Sequence, residues 1–173
     1  MHPGAKEAAR RFFAAYPATG TIVEVGSMEV YGGALREVAP PDSQWIGVDA
    51  AEGPGVDRVL VEPYRLPFVD DSVDVVVSSS TFEHAEFFWL LFLEMARILK
   101  PGGFLYINSP SNGPVHRHPV DCWRFYPDAG DALTRWAARN FYFLELLESS
   151  IGELDGESEW LDWVGVWRKG LTE

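Results

Sequence analysis

The sequence contains one cysteine, Cys122, and no run of apolar residues long enough to span a bilayer. A single cysteine cannot form an internal disulfide, which is typical of proteins in a reducing compartment. The first seven residues carry no apolar segment, so we expect no secretion signal. These absences predict a cytoplasmic protein without a membrane partner.

Positive charge is also scarce. The chain has 14 Lys and Arg against 26 Asp and Glu, which gives a formal net charge of -12, and its basic residues are not clustered. Such a charge disfavours nucleic acid and anionic membrane surfaces as partners. The sequence lacks the G-x-G-x-x-G pattern as well, and this absence argues against a nicotinamide-dependent oxidoreductase.

Apolar residues are plentiful, at 47% of a chain of 173 residues, so the core can be large. This length predicts a single domain over residues 1–173. The 7 tryptophans are many for this length. They are expected in the core and its hydrophobic rim, although an apolar substrate mouth or the face of a homodimer would also use them.

Hydrophobic periodicity and turn residues divide the chain into alternating strands and helices. The predicted helices cover residues 3–16, 30–38, 87–99 and 128–139. The predicted strands cover residues 21–25, 44–49, 58–61, 74–77, 104–107, 142–150 and 160–168, with an acidic turn at 153–159. This order predicts an α/β fold of the Rossmann-like type, a three-layer αβα sandwich. Its seven-stranded, mostly parallel sheet would end in a C-terminal antiparallel hairpin.

The most informative segment is 66–108, which reads L-P-F-V-D-D-S-V-D-V-V-V-S-S-S-T-F-E-H and later L-K-P-G-G. It resembles the class I S-adenosylmethionine-dependent methyltransferases, in the small-molecule, type 11-like branch. The resemblance implies S-adenosylmethionine as cofactor, bound across the carboxyl ends of the strands. It implies methyl transfer to a small molecule or carbohydrate, with oxygen as the expected acceptor atom. The alternative is a non-catalytic, methyltransferase-like binding or interaction module with weak or no cofactor binding.

The resemblance also implies a set of cofactor-binding residues. Glu24 and Gly26 match the family's first motif, but Met28 stands where a second glycine is usual, so the glycine motif is degenerate. Asp49 ends an apolar strand, as the family's ribose-binding acid does, although a lone Asp there could also serve a turn. The expected cofactor-binding residues are Glu24, Gly26, Ser27, Asp49, Ala50, Glu62, Ser79 and Ser80.

The loop at 114–127 begins and ends with proline and contains several side chains capable of acid–base chemistry. His116 and His118 are candidate general bases, and we expect His118 to be oriented by Asp121. There are two alternatives to a catalytic role. One is a His-x-His-x-x-Asp metal site, and the other is a structural loop held by Arg–Asp and aromatic contacts. Since this spacing matches no strong metal signature, we assign no metal ligands. His84, at the start of the predicted helix 87–99, is a further catalytic candidate, with helix capping and packing as the alternative role.

Overall fold

A computed structural model describes residues 3–30, 34–152 and 160–171 of the chain. Its strands are β1 Thr21–Val25, β2 Gln44–Asp49, β3 Arg58–Val59, β4 Val73–Ser79, β5 Leu99–Pro110, β6 Leu144–Ile151 and β7 Asp162–Lys169. They form one seven-stranded sheet in the order β3-β2-β1-β4-β5-β7-β6. Strands β1 to β5 pair in parallel, and β7 pairs antiparallel with both β5 and β6. The predicted fold class is confirmed.

Three α-helices accompany the sheet in the described residues: α1 Pro3–Ala15, α2 Phe88–Ile98 and α3 Asp128–Arg139. Alternate residues of the central strands face opposite layers, so Ile22 and Val75 belong to the core beneath α1. Val23 and Val76 belong to the core on the other face. No helix among the described residues is long and apolar enough to cross a membrane.

Three predicted elements differ from the structure. The helix predicted over 30–38 is wrong for its described part: only Leu35–Val38 form a short 3-10 helix, and Val30 lies in an exposed bend. Residues 31–33 lie outside the described residues, and the two glycines at 32–33 have low helix propensity. The strand predicted over 58–61 ends at Val59, and Val61 is fully exposed.

The fifth strand begins earlier than predicted. The L-K-P-G-G segment continues β5 from Leu99, which pairs with Val73, instead of forming a turn before the strand. Gly102 has a φ of +81°, and the register shifts between Val73 and Val75. The segment therefore ends the helix but stays beside β4. The predicted acidic turn at 153–159 lies outside the described residues.

Candidate functional site

A cleft of about 790 Å³ lies at the carboxyl ends of the parallel strands. This is the edge where open α/β sheets bind ligands, and the volume suits a small molecule. Its lining includes seven of the eight expected cofactor-binding residues: Glu24, Gly26, Ser27, Asp49, Ala50, Ser79 and Ser80. The eighth, Glu62, is exposed and does not line the cleft, whereas the next two residues, Pro63 and Tyr64, do.

The turn after β1 requires glycine at position 26. Gly26 has a φ of +78°, and a Cβ there would lie 1.9 Å from the Thr81 hydroxyl oxygen. The backbone N–H groups of Gly26 and Ser27 both donate to the Val48 carbonyl, at 2.9 and 3.1 Å. The turn is therefore held closely between the ends of β2 and β4.

Asp49 connects this turn to the end of β2. One carboxylate oxygen accepts from the Met28 N–H at 3.0 Å and the other from the Ala51 N–H at 3.3 Å. Because each carboxylate oxygen has further lone pairs, Asp49 can still accept hydrogen bonds from a ligand in the cleft. The Met28 side chain lies over Gly53, with its Cγ 3.0 Å from the point where a Cβ of that glycine would be. The absence of a side chain at Gly53 thus makes room for the larger residue.

Glu24 is a buried carboxyl group at the cleft, 5% exposed. The Trp45 indole N–H donates to its Oε2 at 2.9 Å. Burial raises the pKa of Glu24 to about 7, against the weaker opposing effect of that hydrogen bond. The side chain therefore takes up a proton near neutral pH, well above the usual range of a glutamate.

This pKa predicts the effect of Glu24→Gln on folding. The folded state binds more protons than the unfolded state between about pH 4.5 and 7, so wild-type stability falls as pH rises through this window. The loss amounts to up to about 3 kcal/mol. Urea unfolding should show Glu24→Gln stabilised relative to wild type at pH 8 but not at pH 4. Glu52→Gln, at an exposed position, controls for the lost charge, and a difference independent of pH would contradict the assignment.

The end of β4 places hydroxyl groups and a strained backbone at the cleft. The Ser79 hydroxyl donates to Asn108 Oδ1 at 3.1 Å, and the Ser80 N–H donates to the Asn108 carbonyl at 2.9 Å. Ser80 has a φ of +51°, a left-handed conformation that is uncommon outside glycine and is often found at functional sites.

The histidine-containing loop lies over the ends of β4 and β5. The N–H groups of Cys122 and Trp123 donate to the Glu83 carbonyl at 2.7 and 3.2 Å. The His84 Nδ1 is 2.5 Å from the Val120 carbonyl oxygen. These contacts bring His84, His116 and His118 to the cleft lining.

Asp121 holds His116, whereas the prediction from the sequence is that it orients His118. Its carboxylate accepts from the His116 N–H at 2.7 Å and lies 3.3 Å from the His116 Nδ1. Arg124 binds it with two nitrogens, at 2.5 and 2.9 Å, and this pair holds the pKa of Asp121 well below its usual range. Asp121 does not line the cleft. The arginine turns the carboxylate toward the start of the loop, which residue spacing alone does not reveal.

Glu83 is a further residue of the cleft, and it is not among the site residues expected from the sequence. Its side chain is 1% exposed, and its Oε2 accepts from the Ser109 hydroxyl at 3.2 Å. Its Oε1 lies 3.6 Å from His84 Nε2 and 3.9 Å from His116 Nε2. Burial raises the pKa of Glu83 to about 8, and burial lowers the pKa of His84. The available sequence signal was a Glu-His pair just after a strand end.

Comparisons with known proteins agree with this architecture. Residues 33–107 match the family model described as a methyltransferase domain. A Mycobacterium avium protein described as an uncharacterized methyltransferase is 35% identical over 151 residues, which are 77% of this chain and 58% of that protein. A similarly described protein of Mycobacterium marinum is matched over 40% of its length, so the chain spans about half the length of these curated relatives.

Solved structures share the fold. The protein in complex with the Haloferax volcanii Trm112 methyltransferase activator has a TM-score of 0.69 at 24% identity, over 98% of this chain and 90% of that chain. The 1,6-didemethyltoxoflavin-N1-methyltransferase of Burkholderia thailandensis has a TM-score of 0.67 at 14% identity, over 96% and 78%. That structure contains 1,6-didemethyltoxoflavin and S-adenosylhomocysteine. The family model, the relatives and the sheet order agree that residues 33–107 form part of a methyltransferase domain.

Proposed function

We propose that the protein transfers a methyl group from S-adenosylmethionine to a hydroxyl group of a small molecule or carbohydrate. The observation that carries this proposal is the position of Asp49, whose carboxylate lines the cleft at the end of β2 beside the Gly26 turn. The match to a methyltransferase domain supports methyl transfer, and the net charge of -12 is consistent with an acceptor other than nucleic acid.

The residues of the cleft fit the cofactor. Asp49 can accept hydrogen bonds from the two ribose hydroxyls, and apolar contact for the adenine is available from Leu60 and Tyr64. The methionine end would lie toward the turn at Gly26 and Ser27. Glu24 is neutral for much of its population near pH 7, which reduces its repulsion of a carboxylate there.

The chemistry follows from which groups meet in the cleft. When bound, the cofactor supplies an activated methyl group whose bond to sulfur breaks as the bond to the acceptor oxygen forms. The acceptor hydroxyl must lose its proton, and we assign His118 as the group that takes it, because this residue lines the cleft from the covering loop. The loop would orient the acceptor, and orientation supplies much of the acceleration.

The cofactor assignment predicts the effect of Asp49→Ala. Removing a carboxylate that accepts hydrogen bonds from the ribose should weaken S-adenosylhomocysteine binding by about 1.5–3 kcal/mol, or roughly 10- to 150-fold. Isothermal titration calorimetry measures the change, and thermal unfolding checks that the turn held by Asp49 survives. Glu52→Ala is the matched control, because Glu52 is a nearby acid that does not line the cleft. Equal affinity for wild type and Asp49→Ala would remove the ribose assignment.

A further inference from the structure

Three potential metal ligands converge at the loop side of the cleft. One ligand atom each from Glu83, His84 and His116 can be chosen so that all three lie within 4.8 Å of one another. Glu83 Oε1 lies 3.6 Å from His84 Nε2 and 3.9 Å from His116 Nε2. Two ligands bound to a tetrahedral ion at about 2.0–2.2 Å are roughly 3.4 Å apart, so small movements would complete the geometry.

The second ring nitrogen of each histidine lies close to an acceptor oxygen. The His84 Nδ1 is 2.5 Å from the Val120 carbonyl oxygen. The His116 Nδ1 lies 3.3 Å from Asp121 Oδ2 but makes no hydrogen bond within the described residues. An Nδ1–H of His84 directed at that carbonyl leaves its Nε2 lone pair for a metal, and Asp121 fixes the backbone of His116 by accepting from its backbone N–H. Histidine ligands of metal sites are commonly oriented in this way by a carbonyl or carboxylate.

An independent observation is the unsatisfied carboxylate oxygen of Glu83. Within the described part of the chain, Glu83 Oε1 has no hydrogen-bond partner, although the side chain is 1% exposed. A buried polar atom without a partner is costly. Here the oxygen lies 3.6 and 3.9 Å from the Nε2 atoms of His84 and His116, so a cation between them would satisfy all three groups together.

We propose that Glu83, His84 and His116 bind a divalent first-row transition ion, with Zn²⁺ as the probe. Two imidazoles and one carboxylate are a ligand set that zinc accepts while keeping a further position open. Glu83, His84 and His116 all line the cleft, so that position would face its interior. The ligands come from two separate segments of the chain, which is why the spacing within the loop did not indicate this site.

The consequence for catalysis rests on the proposed function. An acceptor hydroxyl bound at the open position would lose its proton more readily, because a metal ion lowers the pKa of a bound oxygen. His118 would remain outside the ligand set: its ring centroid is 5.9 Å from that of His84 and 6.0 Å from that of His116. The ion would thus sit on the acceptor side of the cleft, apart from Asp49.

Calorimetric titration of the full chain with Zn²⁺, and the visible absorption of a Co²⁺ complex, test the site. Wild type should bind one equivalent. Glu83→Gln and His116→Ala should weaken Zn²⁺ binding by at least about 100-fold, and Asp121→Asn by about 10- to 100-fold. Two controls, Cys122→Ser and His118→Ala, should stay within about threefold of wild type, because neither residue belongs to the ligand set.

Thermal unfolding of each variant shows whether the fold is retained. Glu83→Gln preserves side-chain shape, and His116 lies in a loop, so at least one variant remains interpretable. Absence of Zn²⁺ binding by wild type would overturn the proposal, as would loss of binding in either control. S-adenosylhomocysteine is titrated into the same samples without metal, so failure of cofactor binding is detected separately from failure of the metal site.

Discussion

His118→Ala is expected to lower the rate of methyl transfer by about 10²- to 10⁴-fold. The residue belongs to the loop that covers the ends of β4 and β5, and it lines the cleft. Without an imidazole at this place, the acceptor hydroxyl would have to release its proton to solvent. Affinity for S-adenosylhomocysteine should change little, because Asp49, which is assigned to the ribose, lies at the end of β2.

Turnover is measured as S-adenosylhomocysteine formation, with an acceptor selected from a panel of sugars and small alcohols. Arg117→Ala is the matched control, since Arg117 is the exposed neighbour in the same loop and does not line the cleft. It should retain wild-type turnover. Full activity of His118→Ala would show that another group, or solvent, accepts the proton.

Arg97→Ala should destabilise the protein by about 3–5 kcal/mol, the range for breaking a buried ion pair. The Arg97 side chain is 7% exposed and donates to both oxygens of Glu94 at 2.7 Å. The same guanidinium binds Asp70 at 2.7 Å and donates to the carbonyls of Leu66 and Phe68 at 3.0 and 2.8 Å. It therefore ties α2 to the segment that precedes β4.

The size of the destabilisation follows from Glu94, the partner that remains when Arg97 is removed. The Glu94 side chain is 12% exposed, and its Oε2 also accepts from the Leu66 N–H at 2.9 Å. Removing the arginine leaves a largely buried carboxylate without its main counter-charge. Urea unfolding at pH 7 measures the loss, and the exposed Arg135→Ala on α3 should stay within about 0.5 kcal/mol of wild type. A loss below about 1 kcal/mol in Arg97→Ala would contradict this account.

The local residue pattern was sufficient to predict most of the helices and strands. The β-branched run before Ser78 predicted a strand buried on both faces, and Val75, Val76 and Val77 are all buried. The helix at Asp128–Arg139 has the predicted bounds, because a proline precedes it and its apolar positions recur at helical spacing. The terminal hairpin is likewise found as β6 and β7.

The predictions that differ from the structure do so because of tertiary contacts. The length of β5 depends on pairing with β4, which keeps Lys100 to Gly103 in the sheet despite their turn-like sequence. The place of Glu83 in the site is set when the loop returns and donates to its carbonyl from Cys122 and Trp123. The partner of Asp121 is likewise decided by Arg124. Contacts between segments distant in the chain cannot be read from local residue patterns.

The central claim is that the cleft binds the cofactor of a methyltransferase. Calorimetric titration of the unmodified protein with S-adenosylhomocysteine tests it most directly. The account predicts one binding site per chain, with a negative heat-capacity change from burial of apolar surface in the cleft. An absence of binding heat, together with no shift of the unfolding temperature at millimolar ligand, would contradict the claim and favour a methyltransferase-like module without cofactor binding.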